Sequence, residues 1–423
     1  MENKDLLIVL GLVCLVDSVR NSIIRGVIYF FSNLPNLVVF LFWSLLRSPW
    51  LIADLWRSIR NYFTSPIFSK RAQKFKKLKR GYWSFLLIVG VFLFSWLLPL
   101  FINDTAWHVR YDGKSYFPIF YELPIVSKII PYYPSKIFYD HEFGLKGKNP
   151  VNYRKLKKHF EAQGKGNSVL LAPYEYSPTE NNLTEYPDAE PPHRPDGRHW
   201  FGTDDRGRDV FARLAYGFNI SMTFALLVTF FSYLIGVAIG GYLGYFGGIF
   251  DIVVQRIVEI WSSIPFLYAI MIVVSIVGEV HLGWLVVLLA AFGWMGMTYY
   301  IRGEFLREKA KDYVSAAISI GHKDHTIIFK HILPNSLTPV ISFMPFAIVG
   351  NITSLVSLDF LGFGLAPPTP SWGEMMSQGM SHLKDPWLVF APLGALFLTL
   401  MLVSFIGEAV REAFDPKQYS RLR

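Results

Sequence analysis

Residues 281–335 read HLGWLVVLLAAFGWMGMTYYIRGEFLREKAKDYVSAAISIGHKDHTIIFKHILPN, and the change of character at Arg302 decides the fold. The stretch 281–301 holds no Asp, Glu, Lys or Arg. A helix needs about 20 mostly apolar residues to cross a bilayer, so this stretch is expected to span one. The chain then turns polar at once. Asp312 supports a helix start, and Tyr313, Ala316, Ala317 and Ile320 recur at helical spacing until Gly321 stops the helix. A second short helix is expected at 326–332, ending before Pro334. Two short helices around a glycine elbow form a compact projection, and the small side chains of Ala316 and Ala317 admit a close partner. The plainer alternative is an ordinary polar loop.

Working outward, five more charge-free runs appear, at 84–102, 217–250, 260–278, 332–358 and 386–407. The second exceeds one span, and its glycine-rich end, Gly236 to Gly248, is expected to finish a helix and turn tightly. Those glycines suit either close helix packing or a gate, and packing is favoured. Composition agrees with a membrane protein: 52% of the 423 residues are hydrophobic and 17% are charged, against about 25% charged in soluble domains.

Basic residues near span ends mark the cytoplasmic side. The block 70–80, KRAQKFKKLKR, is one such mark. The segment after 301 is a second, and the tail with Arg411, Lys417, Arg421 and Arg423 is a third. Four spans separate the first from the second and two separate the second from the third. All three therefore fall on one side, with the C-terminus cytoplasmic. The net charge of +9 is read as loops facing a lipid leaflet, with no nucleic-acid partner.

Two regions stand outside this frame. Residues 103–213 follow a single crossing and are expected to form an irregular external subdomain without strong periodicity. Residues 26–46 are charge-free but carry Asn33, Pro35 and Asn36, while 43–62 mixes arginines with Trp, Leu and Ile. An extra N-terminal span and an interfacial hairpin both remain open there. No cleavable signal peptide is expected, because the run 6–16 lacks a preceding basic region.

The sequence carries no enzyme motif. GxxxxGK[ST], HExxH and GxSxG are all absent. The single cysteine, Cys14, excludes an internal disulfide framework. His322, His325 and His331 are not spaced for one helix face, so they are read as a solvated or partner-contacting surface rather than a metal site. Glu259, Asp359 and Glu408 sit at span ends and are read as interfacial. An ion-coupled carrier needs ionisable groups inside its spans, and these spans have almost none. Energy for transport is therefore expected from another subunit.

The run Ser315-Ala316-Ala317, Gly321 and His331-Ile332-Leu333-Pro334-Asn335 resembles the EAA loop of binding-protein-dependent ABC importer permeases, with Ser315 where glutamate is usual. FGTDDRGRDVFARL at 201–214 is similar to the opening of the membrane domain in the dipeptide/oligopeptide (DppC/OppC-like) permease family. LDFLGFGLAPPTPSW at 358–372, with Gly407-Glu408 and Phe414-Asp415-Pro416, is similar to that family's closing region. RGYW (80–83), VRYDGKSYFP (109–118) and SLDFLGFG (357–364) resemble the Yej-type inner-membrane permease, associated with peptide and microcin C uptake.

The resemblance covers about 80–418 and implies an all-α polytopic membrane protein with the type I ABC importer permease fold. Six core transmembrane helices are expected, plus a possible extra N-terminal span. The implied divisions are an N-terminal extension (1–79), a first core helix (80–102), a periplasmic insert (103–215) and the permease domain (216–423) with a coupling loop at 302–331. The implied function is a non-enzymatic permease subunit in the bacterial inner membrane that translocates peptides or peptide-like compounds. Its implied partners are a homologous second permease, an ABC ATPase, a periplasmic solute-binding protein and the lipid bilayer. ATP and Mg would be bound by the ATPase, with no cofactor on this chain. ATPase coupling is expected from Asp312, Tyr313, Ser315, Ala316, Ala317, Gly321, His331, Pro334 and Asn335. Gly202, Thr203, Asp204, Gly207, Arg208 and Asp209 form the external or gate motif, in which Arg208 and Asp209 are expected to fix the loop. Residues 207–214 are expected to form an external helix lying on the membrane, with Val210, Phe211 and Leu214 toward lipid or the gate.

Overall fold

The computed structural model describes residues 60, 64–122, 137–164, 166–186, 189–278 and 280–414. The expectations for the 26–46 and 43–62 stretches and for Asp415-Pro416 lie outside these residues. In chain order the helices are α1 (Pro66–Lys77), α2 (Lys79–Ser95), α3 (Tyr153–Gln163), α4 (Val210–Phe246), α5 (Gly248–Ser262), α6 (Phe266–Val277), α7 (Leu282–Lys309), α8 (Asp312–Ser319), α9 (Thr338–Phe360), α10 (Trp372–Ser381) and α11 (Trp387–Phe414). Three short strands, β1 (His108–Tyr111), β2 (Lys114–Tyr116) and β3 (Ser168–Leu170), lie between α2 and α4.

Among the described residues four helices are long and apolar enough to cross a membrane: α4, α7, α9 and α11. The count reaches six if the bent pairs α1–α2 and α5–α6 each form one span. The charge-free run 260–278 is therefore not one straight helix. α5, which ends at Ser262, meets α6 at 71°, because Pro265 disfavours helical backbone at Ile264 and cannot donate a backbone hydrogen bond. The long run 217–250 lies mostly in α4, a single helix of 37 residues, about 55 Å at 1.5 Å per residue. It ends where Gly247 and Gly248 adopt φ of +65° and +62°.

The chain divides into two compact units. One holds residues 71–230, 279–282 and 340–423. Its membrane core joins Phe218, Met222, Ile352, Val356, Trp372, Leu388 and Val403. Gly81 of α2 lies so close to α11 that an added Cβ would sit 2.1 Å from the Ala409 Cβ. At the same end, Lys74 Nζ donates to the Glu412 carbonyl at 2.7 Å. The basic block and the end of α11 thus share one end of this unit.

The insert belongs to the same unit and has its own core of Val109, Phe138, Phe143, Tyr153, Leu156 and Phe160. β1 is the central strand, antiparallel to both β2 and β3, with Val109 opposite Tyr116 and Val169. The expectation of an irregular, aperiodic insert is corrected here. Tyr153, Leu156 and Phe160 recur at helical spacing and are all buried, while Asn152 caps α3 by accepting from Lys155 N at 3.0 Å.

The other unit holds 231–278 and 283–339, together with the described residues before 71. Here the glycine-rich run acts as a packing surface. Cβ atoms added at Gly236, Gly240 and Gly244 would meet the carbonyls of Trp294, Thr298 and Arg302 at 2.6, 2.5 and 2.7 Å. Both series step by four residues, so α4 and α7 pack backbone to backbone along two turns.

Candidate functional site

Two constellations gather the residues singled out by sequence, one in each unit. The first is built on the turn before α4. Gly202 and Gly207 have φ of +71° and +76°, left-handed backbone that side chains resist. These turns let Asp204 fold back on its own loop. Its Oδ1 accepts from Arg206 N and Arg208 N at 2.9 Å each, and its Oδ2 accepts from Arg208 Nε at 2.6 Å. Asp209 caps α4: its Oδ1 accepts from Ala212 N at 2.7 Å. The hydroxyl of Thr203 accepts from His193 N at 2.8 Å.

This loop is tied to α10 through Glu374. Arg208 Nη2 lies 3.1 Å from Glu374 Oε1, and Arg213 Nη2 lies 2.5 Å from Glu374 Oε2. Both arginine side chains are fully buried. Burial opposes the charge on Arg208, but Asp204 and Glu374 outweigh it and raise its pKa. Glu374 is itself positioned by the helix cap, since Ser371 Oγ accepts from Glu374 N at 3.2 Å. Ser371 Oγ then donates to Asp359 Oδ2 at 2.5 Å, and Leu365 N donates to Asp359 Oδ1 at 2.7 Å. Asp359, at the end of α9, is thus buried as the tie of the 360–371 turn.

The structure also corrects the surface helix expected at 207–214. Val210 begins α4 and is wholly buried, and Phe211 and Leu214 are half-buried on the same helix. A buried imidazole completes this end. His199 Nδ1 bonds Asp209 Oδ2 at 2.7 Å, and its Nε2 stands 3.7 Å from Glu185 Oε2. Burial alone would lower its pKa, but Asp209 and Glu185 hold it up at about 9. Glu374, His199 and Glu185 escaped the sequence reading. The one available signal was Glu374 three residues after the cap Ser371.

The second constellation is the projection after α7. α8 ends at Ser319, and Gly321 turns the chain at φ +83°. The following segment does not stop before Pro334. A turn at 324–326 leads into a π-helical stretch, Ile327–Ile332, and then an α-turn, Leu333–Ser336, with Pro334 in its first positions. A proline is tolerated there because the first N–H groups of a helix have no internal acceptor.

Glu308, at the end of α7, anchors the projection from a buried position. It accepts from Tyr313 Oη at 2.8 Å and Lys311 Nζ at 2.7 Å. Burial and the Glu308 bond push the Tyr313 hydroxyl up to about 12, so it stays a donor. Asn335 Nδ2 donates to the His331 carbonyl at 2.9 Å. Asp324 accepts from Tyr245 Oη at 2.6 Å. Ala317 is buried inside the projection. Asp312, Ser315, Ala316, Gly321 and Asn335 are exposed, and Ile318 and Ile320 stand out beside them. The rings of His322 and His331 are 5.4 Å apart. Among the described residues no group of three metal-ligating side chains forms.

Long apolar helices, a charge-locked loop before one of them and a compact polar projection after another are the features of a multi-pass membrane protein. Residues 236–418 match the family model described as a binding-protein-dependent transport system inner membrane component. The chain is 38% identical over 357 residues to the inner membrane ABC transporter permease protein YejE of Escherichia coli, covering 84% of this chain and 98% of the relative. It is also 38% identical over 369 residues to the peptidoglycan transport system permease protein YejE of Agrobacterium fabrum, covering 84% and 95%. The oligopeptide transport system permease protein OppC of Haemophilus influenzae is 36% identical over 247 residues, covering 58% and 77%. Among solved structures, the inward-facing MetNI methionine ABC transporter aligns with a TM-score of 0.40 at 20% identity, over 48% of this chain and 97% of that one.

The chain belongs to the binding-protein-dependent ABC transporter permease family. It is a multi-pass inner-membrane component, not itself catalytic, and a partner ATPase hydrolyses the ATP. Such a system also implies a solute-binding protein.

Proposed function

We propose that this permease subunit translocates peptides or peptide-like compounds, and that the loop at 302–331, with Pro334 and Asn335 just after it, couples it to the ATPase. Support for the cargo is the likeness to peptide- and peptidoglycan-transport permeases. The coupling reading rests on one observation. Glu308 and Tyr313 fix the projection to α7 from within, while Ser315, Ala316 and Ile320 remain exposed on the outside. A rigid lever with a small-residue face suits insertion into a groove on a partner.

In this reading the projection faces the cytoplasm, as do the basic block and the tail, and the insert lies in the periplasm. A second, homologous permease completes the pathway. The loop from Gly202 to Asp209 fixes the external end of α4 rather than touching cargo, since Asp204, Arg208 and Asp209 are consumed by one another, Glu374 and His199. The assigned divisions at 79, 102 and 215 follow from the same topology.

Ala316→Arg tests the coupling reading, because Ala316 is exposed and its replacement leaves the Glu308 anchor intact. The expected result is loss of peptide uptake with weaker co-purification of the ATPase and normal permease levels in the membrane. Normal uptake and normal ATPase binding would remove the projection as the lever.

A further inference from the structure

The elbow between α1 and α2 carries charge that the transport reading does not use. α1 meets α2 at 96°, and the helix is interrupted at Leu78, whose ψ of 79° is not helical. α2 presents Trp83, Leu87 and Leu93 outward, as a lipid-facing helix does. With α2 crossing the bilayer, the bend lays α1 along the membrane surface. Its two faces differ accordingly. Ala72 and Phe75 are half-buried, and Phe75 packs edge-on against Tyr82 and Phe85.

Lys76, Lys77, Lys79 and Arg80 are all exposed around the elbow. Among the described residues none of the four has a carboxylate partner. Their neighbours Arg71 and Lys74 are differently placed, one over the Phe414 ring at 5.3 Å and the other on the Glu412 carbonyl. Relative to the described residues these four cations therefore point outward, beside Trp83, which is 66% exposed. Indole rings favour the headgroup level, and lysine stems reach from apolar surroundings toward phosphate.

We propose that Lys76, Lys77, Lys79 and Arg80 form a binding site for the phosphodiester headgroups of anionic phospholipids. Position argues for lipid over a free anion: the cations border an exposed apolar helix face, where a bound lipid can lay its acyl chains against Leu86 and Leu87. The charges then hold the elbow to the leaflet as well as setting orientation.

The test uses the full-length permease in its transporter, incorporated into nanodiscs of equal phosphatidylglycerol and phosphatidylcholine. Lipids retained after gentle detergent extraction are counted by native mass spectrometry. Wild type is expected to retain phosphatidylglycerol in preference, by roughly five-fold per engaged cation at low salt. The combined variant Lys76→Gln, Lys77→Gln, Lys79→Gln, Arg80→Gln should fall to near parity, whereas arginine at the three lysine positions should keep the preference. Salt gives an independent arm on the unmutated protein, since about 0.5 M NaCl shortens the screening length to a few ångströms and should erase the selectivity. An unchanged lipid ratio in the glutamine variant overturns the proposal. So does a preference that survives high salt, or displacement of the lipid by inorganic phosphate, which would mark a free-anion site.

Discussion

Arg213 Nη2 donates to Glu374 Oε2 at 2.5 Å, joining residues 161 positions apart. Arg213 also donates to the Pro178 carbonyl at 3.1 Å, so one buried guanidinium ties the insert, α4 and α10 together within their unit. Removing the carboxylate leaves two buried arginines with too little negative charge. Breaking such a pair from one side costs about 3–5 kcal/mol. Glu374→Gln is therefore expected to lower the yield of folded permease sharply and reduce its thermal unfolding temperature, with Glu374→Asp intermediate. Unfolding measured by fluorescence-detected size exclusion after heating would show it. Unchanged melting in Glu374→Gln would mean that Asp204 alone neutralises the cluster.

Packing of α2 on α11 gives a second expectation. No side chain fits at Gly81, because the Ala409 Cβ and the Phe405 carbonyl occupy its place at 2.1 and 2.8 Å. Gly81→Val should destabilise by about 1–3 kcal/mol through overpacking. Ala409→Gly in the same chain should return part of the loss, because it vacates the nearer contact. A double-mutant cycle on thermal stability measures this coupling, and additive losses would show that the helices do not meet at this pair.

How far this was legible in sequence depended on the kind of signal. The span at 281–301 stood out by its lack of charge, and the elbow at Gly321 by its residue type. The bend at Pro265 was also written in the chain, but uniform hydrophobicity across 260–278 hid it. α3 was hidden differently, as a short amphipathic pattern inside a segment rich in Tyr, Pro and Lys. Glu374 was the least legible. Its importance comes from Arg208 and Arg213, more than 160 positions away, and no local pattern reports such a partner.

The anchor of the projection can be loosened without touching its outer face. Tyr313→Phe deletes the hydroxyl that donates to Glu308 at 2.8 Å and leaves the ring in place. Losing a hydrogen bond to a buried charged acceptor costs about 1.5–3 kcal/mol. ATPase co-purification should weaken and uptake should fall several-fold, yet less than in Ala316→Arg, because the docking surface is intact. Hydrogen exchange over 310–336 should rise. Faster uptake, or unchanged exchange, would show that Glu308 is held by Lys311 alone.

The buried imidazole sets a pH window for the loop before α4. His199 is protonated in the fold with a pKa of about 9, above its ordinary 6.5, despite a burial that opposes the charge. A raised folded pKa means that protonation favours the folded state. The stabilisation is complete below pH 6.5 and drains away as pH rises through about 9. The groups facing the ring are Asp209 and Glu185, with the tilted ring of Tyr176 at 4.2 Å and that of Tyr186 at 6.0 Å. Burial and the Glu185 carboxylate raise the pKa of Tyr176 well above its usual range, so it does not titrate in this window. Limited proteolysis between residues 180 and 210 should therefore quicken between pH 7 and 10 in the wild type. His199→Gln should be cut readily at every pH in that range, because a neutral amide cannot offset the buried Asp209 charge. A wild-type cleavage rate that stays flat across pH 9 would place the proton elsewhere than on His199.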